Sequence, residues 1–506
     1  MMRLIKGIFL VIFVAAMTQS CTDLDERFYD QITGDNFPTT DEEFAATLGG
    51  AYTPMHRTFG HNNYFSIQEV SSDEAMIPQR GGDWFDGGQW LRVHRHEYNS
   101  REEVVNNVWT MAFEGVNACN RLIAVFEPLE GTEAIVAEMK VMRAFYYFWL
   151  MDVYGNVPIV TALGEPDPNG QSPRSAVYNF VTSELAANVP LLTEEKTYGR
   201  MNYWAGRALQ AKVELNSGVY LGTGDPTSAA MANVITYTSD IIDNGGFTLD
   251  SDYSAVFGAA NDANGEHIFA IPYDEVFITG FNLNQMTLHY GSQNTYNLAA
   301  QPWNGYCSLQ EFYNSYDDAD VRKANNFVAG PQFFADGVTP VDDPSFESND
   351  PDGPQLNFTP EINEHFPNAL RQAGVRIGKY EIEMGAQPDK NNDVPIFRLG
   401  DVILMQAEAE FREGNNAAAV TLVDQIRDRA GLGPLGGALT ADELLAERGR
   451  EMFAEAYRRQ DLIRFGRYND AWDFKPADAS DHVNIYPIPD AQLNADPNLS
   501  QNPGYN

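Results

Sequence analysis

Cysteine is scarce in this chain, with three in 506 residues. Cys21 sits near the start, and Cys119 and Cys307 are far apart. Two such residues could pair in an oxidising compartment, but they form no disulfide framework. Each is expected as a single, small, buried hydrophobe. Positive charge is scarce as well: 33 Lys and Arg stand against 71 Asp and Glu, a net charge of −38. Nucleic acid is excluded as a partner on this ground, because phosphate binding needs a basic footprint. Polyanionic ligands are disfavoured unless local Arg or Lys overrides the field. Such acidity suits salty surroundings, where screening reduces self-repulsion.

Catalytic signatures are missing too. There is no phosphate loop, no GxSxG elbow, no dinucleotide fingerprint and no HExxH. A glycosidase needs two carboxylates about 5–10 Å apart across a cleft. Nothing in the sequence marks such a pair, so the chain is not expected to be an enzyme. His94-Arg-His96 would put two imidazoles on one face of a strand, but no third ligand accompanies them. Asp317-Asp-Ala-Asp320 lacks the full pattern of a calcium loop and reads as a solvated acidic turn. No metal and no cofactor are expected.

The single long apolar run, Gly7 to Met17, is too short to span a membrane. Arg3 and Lys6 precede it and Thr18-Gln-Ser-Cys21 follows. This is the layout of a secretory signal over residues 1–20. The site resembles that of a bacterial lipoprotein, with Cys21 as the lipidated residue, although Gln19 departs from the usual small residue. A diacylglycerol plus an N-acyl chain would anchor firmly, since one chain alone is marginal.

Helical periodicity dominates three stretches, residues 40–56, 100–246 and 397–466. Phe397 to Gly431 reads as two helices folded back on each other, broken at Gly414. A pair this short cannot bury its own apolar stripe and needs neighbouring pairs to stack on. Capping boxes are expected at Thr40/Glu43, Ser100/Glu103 and Thr440/Glu443, and side-chain caps at Asn202 and Thr227. The aromatic run Phe145 to Leu150 fits core packing at helical spacing. Thr440 to Phe465 reads as one long helix, whose dense charged face is solvated or ion-paired rather than catalytic. The closing segment from Tyr486 is an irregular, proline-containing tail.

Between these stretches, residues 60–99 and 247–395 lose the helical signal, with only Gln310 to Tyr316 reading as a helix in the second. Loops this long are functional rather than mere connections. Both carry exposed-looking aromatics. Trp84, Phe85 and Trp90 lie among glycines with Asp83 and Asp86; Tyr296, Trp303 and Tyr306 lie among Asn, Gln and Gly. Glycine-rich loops do not need tryptophan for their own fold.

Several segments together resemble one family, the SusD/RagB glycan-binding lipoproteins of Bacteroidetes. They are Cys21-Thr-Asp-Leu-Asp-Glu26, Tyr154-Gly-Asn-Val-Pro-Ile-Val160, Phe397-Arg-Leu-Gly-Asp-Val-Ile-Leu-Met-Gln-Ala-Glu-Ala409, Arg448 to Phe465, Tyr486-Pro-Ile-Pro489 and Asn502-Pro-Gly-Tyr505. Their succession covers the mature chain from end to end. The resemblance implies a mainly α fold: one domain over 21–506, with about four tetratricopeptide-like helix pairs and a loop-rich insert with short strands. It implies a non-catalytic protein, lipid-anchored at the outer membrane surface, that captures polysaccharide for a SusC-like TonB-dependent transporter. It also implies a binding surface built from the two loop regions.

Flat aromatic faces meet the C–H faces of sugar rings, and amides and carboxylates meet the hydroxyls. Trp84 and Trp303 are accordingly the expected stacking platforms, with Tyr296, Tyr306 and Trp90 as further aromatics and Asn294 and Asp83 as hydroxyl partners. The acidic surface favours a neutral glycan, a storage β-glucan such as laminarin being the first choice. The alternatives are another cargo on the same scaffold, a glycoprotein glycan or a peptide, and more remotely a glycoside hydrolase.

Overall fold

The computed structural model describes residues 40–164, 170–343 and 353–505. The signal segment and Cys21 lie outside the described residues. Two compact units are distinguished, Met1–Thr47 and Leu48–Asn506. In the first, the Thr40/Glu43 capping box forms, each backbone N–H meeting the other's side chain at 3.2 Å.

The second unit is mainly helical, with the helices α1 (Asp41–Tyr52, which begins in the first unit), α2 (Glu103–Phe126), α3 (Glu133–Tyr154), α4 (Arg174–Asn188), α5 (Tyr203–Leu215), α6 (Ser228–Asn244), α7 (Leu399–Arg412), α8 (Asn416–Arg429), α9 (Ala441–Met452) and α10 (Arg458–Arg464). Helix α2 packs on α3, α3 on α4, α5 on α6, α6 on α7 and α7 on α8. This is the expected stack of helix pairs. Gly414 takes φ +81°, which lets the chain turn sharply between α7 and α8. The centre is α3, buried almost without interruption from Val136 to Tyr154, so its aromatic run is core. Gly115 of α2 lets that run approach: a Cβ there would lie 2.2 Å from the Tyr146 ring. Cys119 and Cys307 are free and buried.

Caps at Asn202, Thr227 and Thr440/Glu443 form as expected. The Ser100/Glu103 box does not. The Glu102 carboxylate at the start of α2 instead accepts from Arg92 and Asn99. Beyond the expected helix at 310–316, observed over Gln310–Asn314, the insert holds short helices at Leu283–Thr287, Ser292–Tyr296 and Val321–Asn326. Its strands are short two-stranded pairs, among them His267–Ile271 with Val394–Arg398.

The largest departure lies at 440–465. The expected single helix is two, α9 and α10, separated by a turn in which Ala454 and Ala456 have φ +56° and +63°. Two buried carboxylates hold this turn: Glu69 Oε1 accepts the Ala456 N–H at 2.6 Å and Glu74 Oε2 the Ala454 N–H at 3.4 Å. The charged face is not solvated either. Glu447, Arg448, Glu451, Glu455, Arg458, Arg459, Asp461 and Arg464 are all buried. The ion-paired reading holds. Arg398 reaches Glu266, Glu451 and Glu455, Arg322 reaches Asp320, Glu447 and Glu451, and Arg464 reaches Glu408 and Asp461. These groups join the last helices to the insert.

Candidate functional site

The two loop regions meet. Arg80 opens the first with a tight turn to Asp83, and Trp84 follows in left-handed backbone (φ +62°). Its indole N–H donates to the carbonyl of Trp303 at 2.6 Å, and the two rings lie 6.5 Å apart, tilted by 49°. Gly305 makes this possible, because a Cβ there would sit 2.3 Å from the Trp84 ring. Trp303 is 37% exposed and Trp84 is half-buried. The Asp83 carboxylate accepts from the Tyr290 hydroxyl and ties the loops together again.

Beneath the pair lie His61, Trp90 and Tyr306. The His61 ring is 5.0 Å from Trp84, 6.0 Å from Trp303 and 5.4 Å from Trp90. Burial drops its pKa to about 4, so at neutral pH it is an uncharged ring. Trp90 and Tyr306, expected as sugar-facing aromatics, are instead buried, 1% and 0% exposed. Trp90 falls inside because Gln89–His94 coils into a short helix, and its N–H is held by Asp86 Oδ2 at 2.7 Å. The Tyr306 hydroxyl pairs with Ser66 Oγ at 2.6 Å. Both support the surface rings from below.

Tyr296 is half-buried and packs on Leu288, Leu298 and Ala386 rather than joining the tryptophans. Asn294 and Asp83 are exposed. Phe85 and Phe366, 49% and 45% exposed, pair at 6.4 Å. His61 and Phe366 had no signal in the sequence, since each is placed only by contacts from a distant segment.

Two buried guanidinium groups hold the Trp303 segment. Arg80 Nη1 donates to the carbonyls of Asn304 and Gly305, both at 2.9 Å, and Nη2 to that of Ala373 at 2.7 Å. Arg376 Nη2 donates to Asn304 Oδ1 at 2.8 Å and to the Arg371 carbonyl at 2.6 Å. Burial pushes both arginines below their ordinary pKa, with each other's charge adding to the effect on Arg376. Their hydrogen bonds run to carbonyls, an amide oxygen and a thiol, so they act as clips for irregular backbone.

His94 and His96, considered for metal, are buried and engaged by protein. His94 meets the carbonyls of Val70 and Asp473, and His96 meets Asp478 Oδ2 and the Ser71 carbonyl. They leave a short helix rather than sharing a strand face. Asp320 is no solvated turn residue: it is buried against Arg322.

The arrangement offers a ring-lined surface for an apolar face, rimmed by polar groups. The chain is similar to proteins already known. Residues 368–505 match the model of the SusD family, and residues 24–215 match a SusD-like model described as starch-binding associating with outer membrane. The starch-binding protein SusD of Bacteroides thetaiotaomicron is 26% identical over 73% of this chain and 72% of its own length. SusD-like protein P2 of Formosa agariphila is 22% identical over the whole of both. Among solved structures, surface glycan-binding protein A from Bacteroides thetaiotaomicron in complex with laminarihexaose superposes with a TM-score of 0.72 at 21% identity, over 92% of this chain and 100% of that one. A laminarin binding SusD-like protein gives the same TM-score at 22% identity and the same coverage. With both models matching in the expected order on a mainly helical fold of the same kind, the chain belongs to the SusD/RagB family.

Proposed function

We propose that this protein is a non-catalytic glycan-binding lipoprotein, anchored at the outer membrane surface through Cys21, that captures a polysaccharide and passes it to a SusC-like TonB-dependent transporter. The observation that carries the reading is the Trp84–Trp303 pair, two partly exposed indoles from two loops, held together by the Trp84 indole N–H on the Trp303 backbone carbonyl. Each stacked ring contributes on the order of 1–2 kcal/mol from area alone, so two preorganised rings on one rigid surface are a useful platform. The favoured ligand is a neutral β-glucan of the laminarin type. The net charge of −38 supports a neutral polymer, as do the two structural neighbours described with laminarihexaose and laminarin.

Affinity gel electrophoresis against neutral and acidic polysaccharides tests this reading. Retardation is expected with laminarin and is lost in the Trp84→Ala/Trp303→Ala double variant. Retardation by a sulfated or uronic-acid polymer alone overturns the choice of a neutral glycan, and an unchanged double variant overturns the site. Labelling with radioactive palmitate, lost in Cys21→Ala, is expected for the anchor. Co-purification with a TonB-dependent barrel is expected for the transfer step.

A further inference from the structure

A polar cavity lies beside the tryptophan pair. It holds about 350 Å³ and is lined by His61, Asn62, Asp86, Gln89, Arg92 and Glu103, with Arg101 and Glu102 at its side. That volume is at the small end of ligand cavities, ~300–1,000 Å³. His61 belongs to both places, since its ring borders the cavity and lies against Trp84 and Trp303. His61 thus links the indole pair to this cavity.

The walls are built rather than loose. Gln89 is buried; its amide donates to Asn62 Oδ1 at 3.1 Å and its carbonyl oxygen accepts the Val104 N–H at 3.1 Å. Arg92 is fixed on both oxygens of Glu102, at 2.5 and 2.8 Å, and on the Gly87 carbonyl at 2.8 Å. Asp86 uses Oδ2 to hold Trp90. Glu103 is exposed, and no ion pair or hydrogen bond of its side chain is seen among the described residues. Imidazole, amide and carboxylate groups line the cavity, and no aliphatic or aromatic hydrocarbon side chain does. Such a wall offers both donors and acceptors, which suits a ligand that is itself both, as a ring of hydroxyls is. Its three carboxylates against two guanidinium groups leave an acidic balance that repels sulfate or uronate.

We propose that this cavity is a separate subsite that takes one neutral, hydroxyl-rich sugar unit branching from the chain held on Trp84 and Trp303. The inference rests on the reading of those two residues as a glycan platform. It gives the protein a preference the platform alone lacks, because flat indole faces do not distinguish a linear chain from one with a side unit.

The test is calorimetry with a linear neutral oligosaccharide and the same oligosaccharide carrying one single-sugar branch, the β-1,3-glucan with a β-1,6-linked glucose first, then pairs from any other neutral polymer that retards the protein. The branched ligand is expected to bind about tenfold more tightly to the wild type. Glu103→Ala, at an exposed position, is expected to shrink that ratio to about threefold or less. Trp84→Ala is expected to weaken both ligands together. Equal affinities for linear and branched ligands, with both still dependent on Trp84, overturn the subsite and leave the platform standing. A ratio unchanged by both Glu103→Ala and the bulkier Glu103→Trp, which would fill the cavity, also overturns it. No binding of any neutral pair sinks the platform reading and this inference with it.

Discussion

Buried arginines are used in two different ways in this molecule. At the junction of the last helices with the insert, Arg398 meets three carboxylates, Glu266, Glu451 and Glu455, and Arg322 meets Asp320, Glu447 and Glu451. Under the tryptophan pair, Arg80 and Arg376 meet mainly backbone carbonyls. The difference follows from the backbone around them. Helices satisfy their own carbonyls, so side chains between helices are free to pair charge with charge. Loops at 303–305 and 370–374 have carbonyls without ladder partners, and a guanidinium with five donors can satisfy several at once. The first arrangement joins rigid elements. The second gives irregular chain a defined shape, and that shape presents Trp84 and Trp303.

The contrast breaks most severely at Arg398. Arg398→Met leaves carboxylates buried with fewer cations and is expected to cost about 3–5 kcal/mol. Chemical denaturation measures it, and a loss under 1 kcal/mol would show that the junction does not depend on compensated charge. Arg80→Met removes donors from buried carbonyls at a cost of about 1–3 kcal/mol. It also releases the Trp303 segment, so glycan affinity should fall. In a Trp84→Ala/Trp303→Ala background the same change should lower stability but affinity no further. Additive affinity losses would mean that Arg80 does not act through the rings.

Trp84→Ala and Trp303→Ala are each expected to weaken glycan binding about tenfold, ~1.4 kcal/mol, with little change in melting. Trp90→Phe, a buried ring kept in shape, should leave calorimetric affinity near that of the wild type. A tenfold loss there would return Trp90 to the ligand surface.

A last effect concerns a buried carboxyl held by a backbone N–H rather than by an arginine. Burial raises Glu69 from an ordinary value of 4.5 to about 7, against the lowering effect of the Ala456 N–H. A carboxyl raised in the folded state keeps its proton while the unfolded chain loses its own. Its favourable contribution is therefore whole below pH 4.5 and is lost as pH rises to about 7. Glu69→Gln should flatten the decline in denaturation free energy over that window while keeping an acceptor for Ala456. An unchanged pH profile would place the proton elsewhere.

Much of the scaffold was legible because helices announce themselves locally. Asn202, Thr227 and Thr440 cap where a polar residue precedes a 3.6-residue stripe, and Gly414 turns where glycine costs least. The break at Phe453–Tyr457 was not legible. It contains neither glycine nor proline, and two alanines take left-handed backbone only because Glu69 and Glu74, almost 400 residues earlier, accept their N–H groups. The candidate site divides the same way. Trp84 stood out between glycine pairs and Trp303 in a polar loop, whereas Trp90 and Tyr306 have the same composition around them and are covered by neighbours from elsewhere in the chain.

The order of residues, taken alone, determined a helix-pair scaffold, two long ligand-type loops, an acidic character and a family signature. Each of these depends on short-range periodicity, on composition or on the succession of motifs. Tertiary structure decided which rings face out, which charges are buried, and that His61 stands between an indole pair and a polar cavity. Exposure and pairing are properties of what a distant segment places against a residue, and no local pattern encodes that.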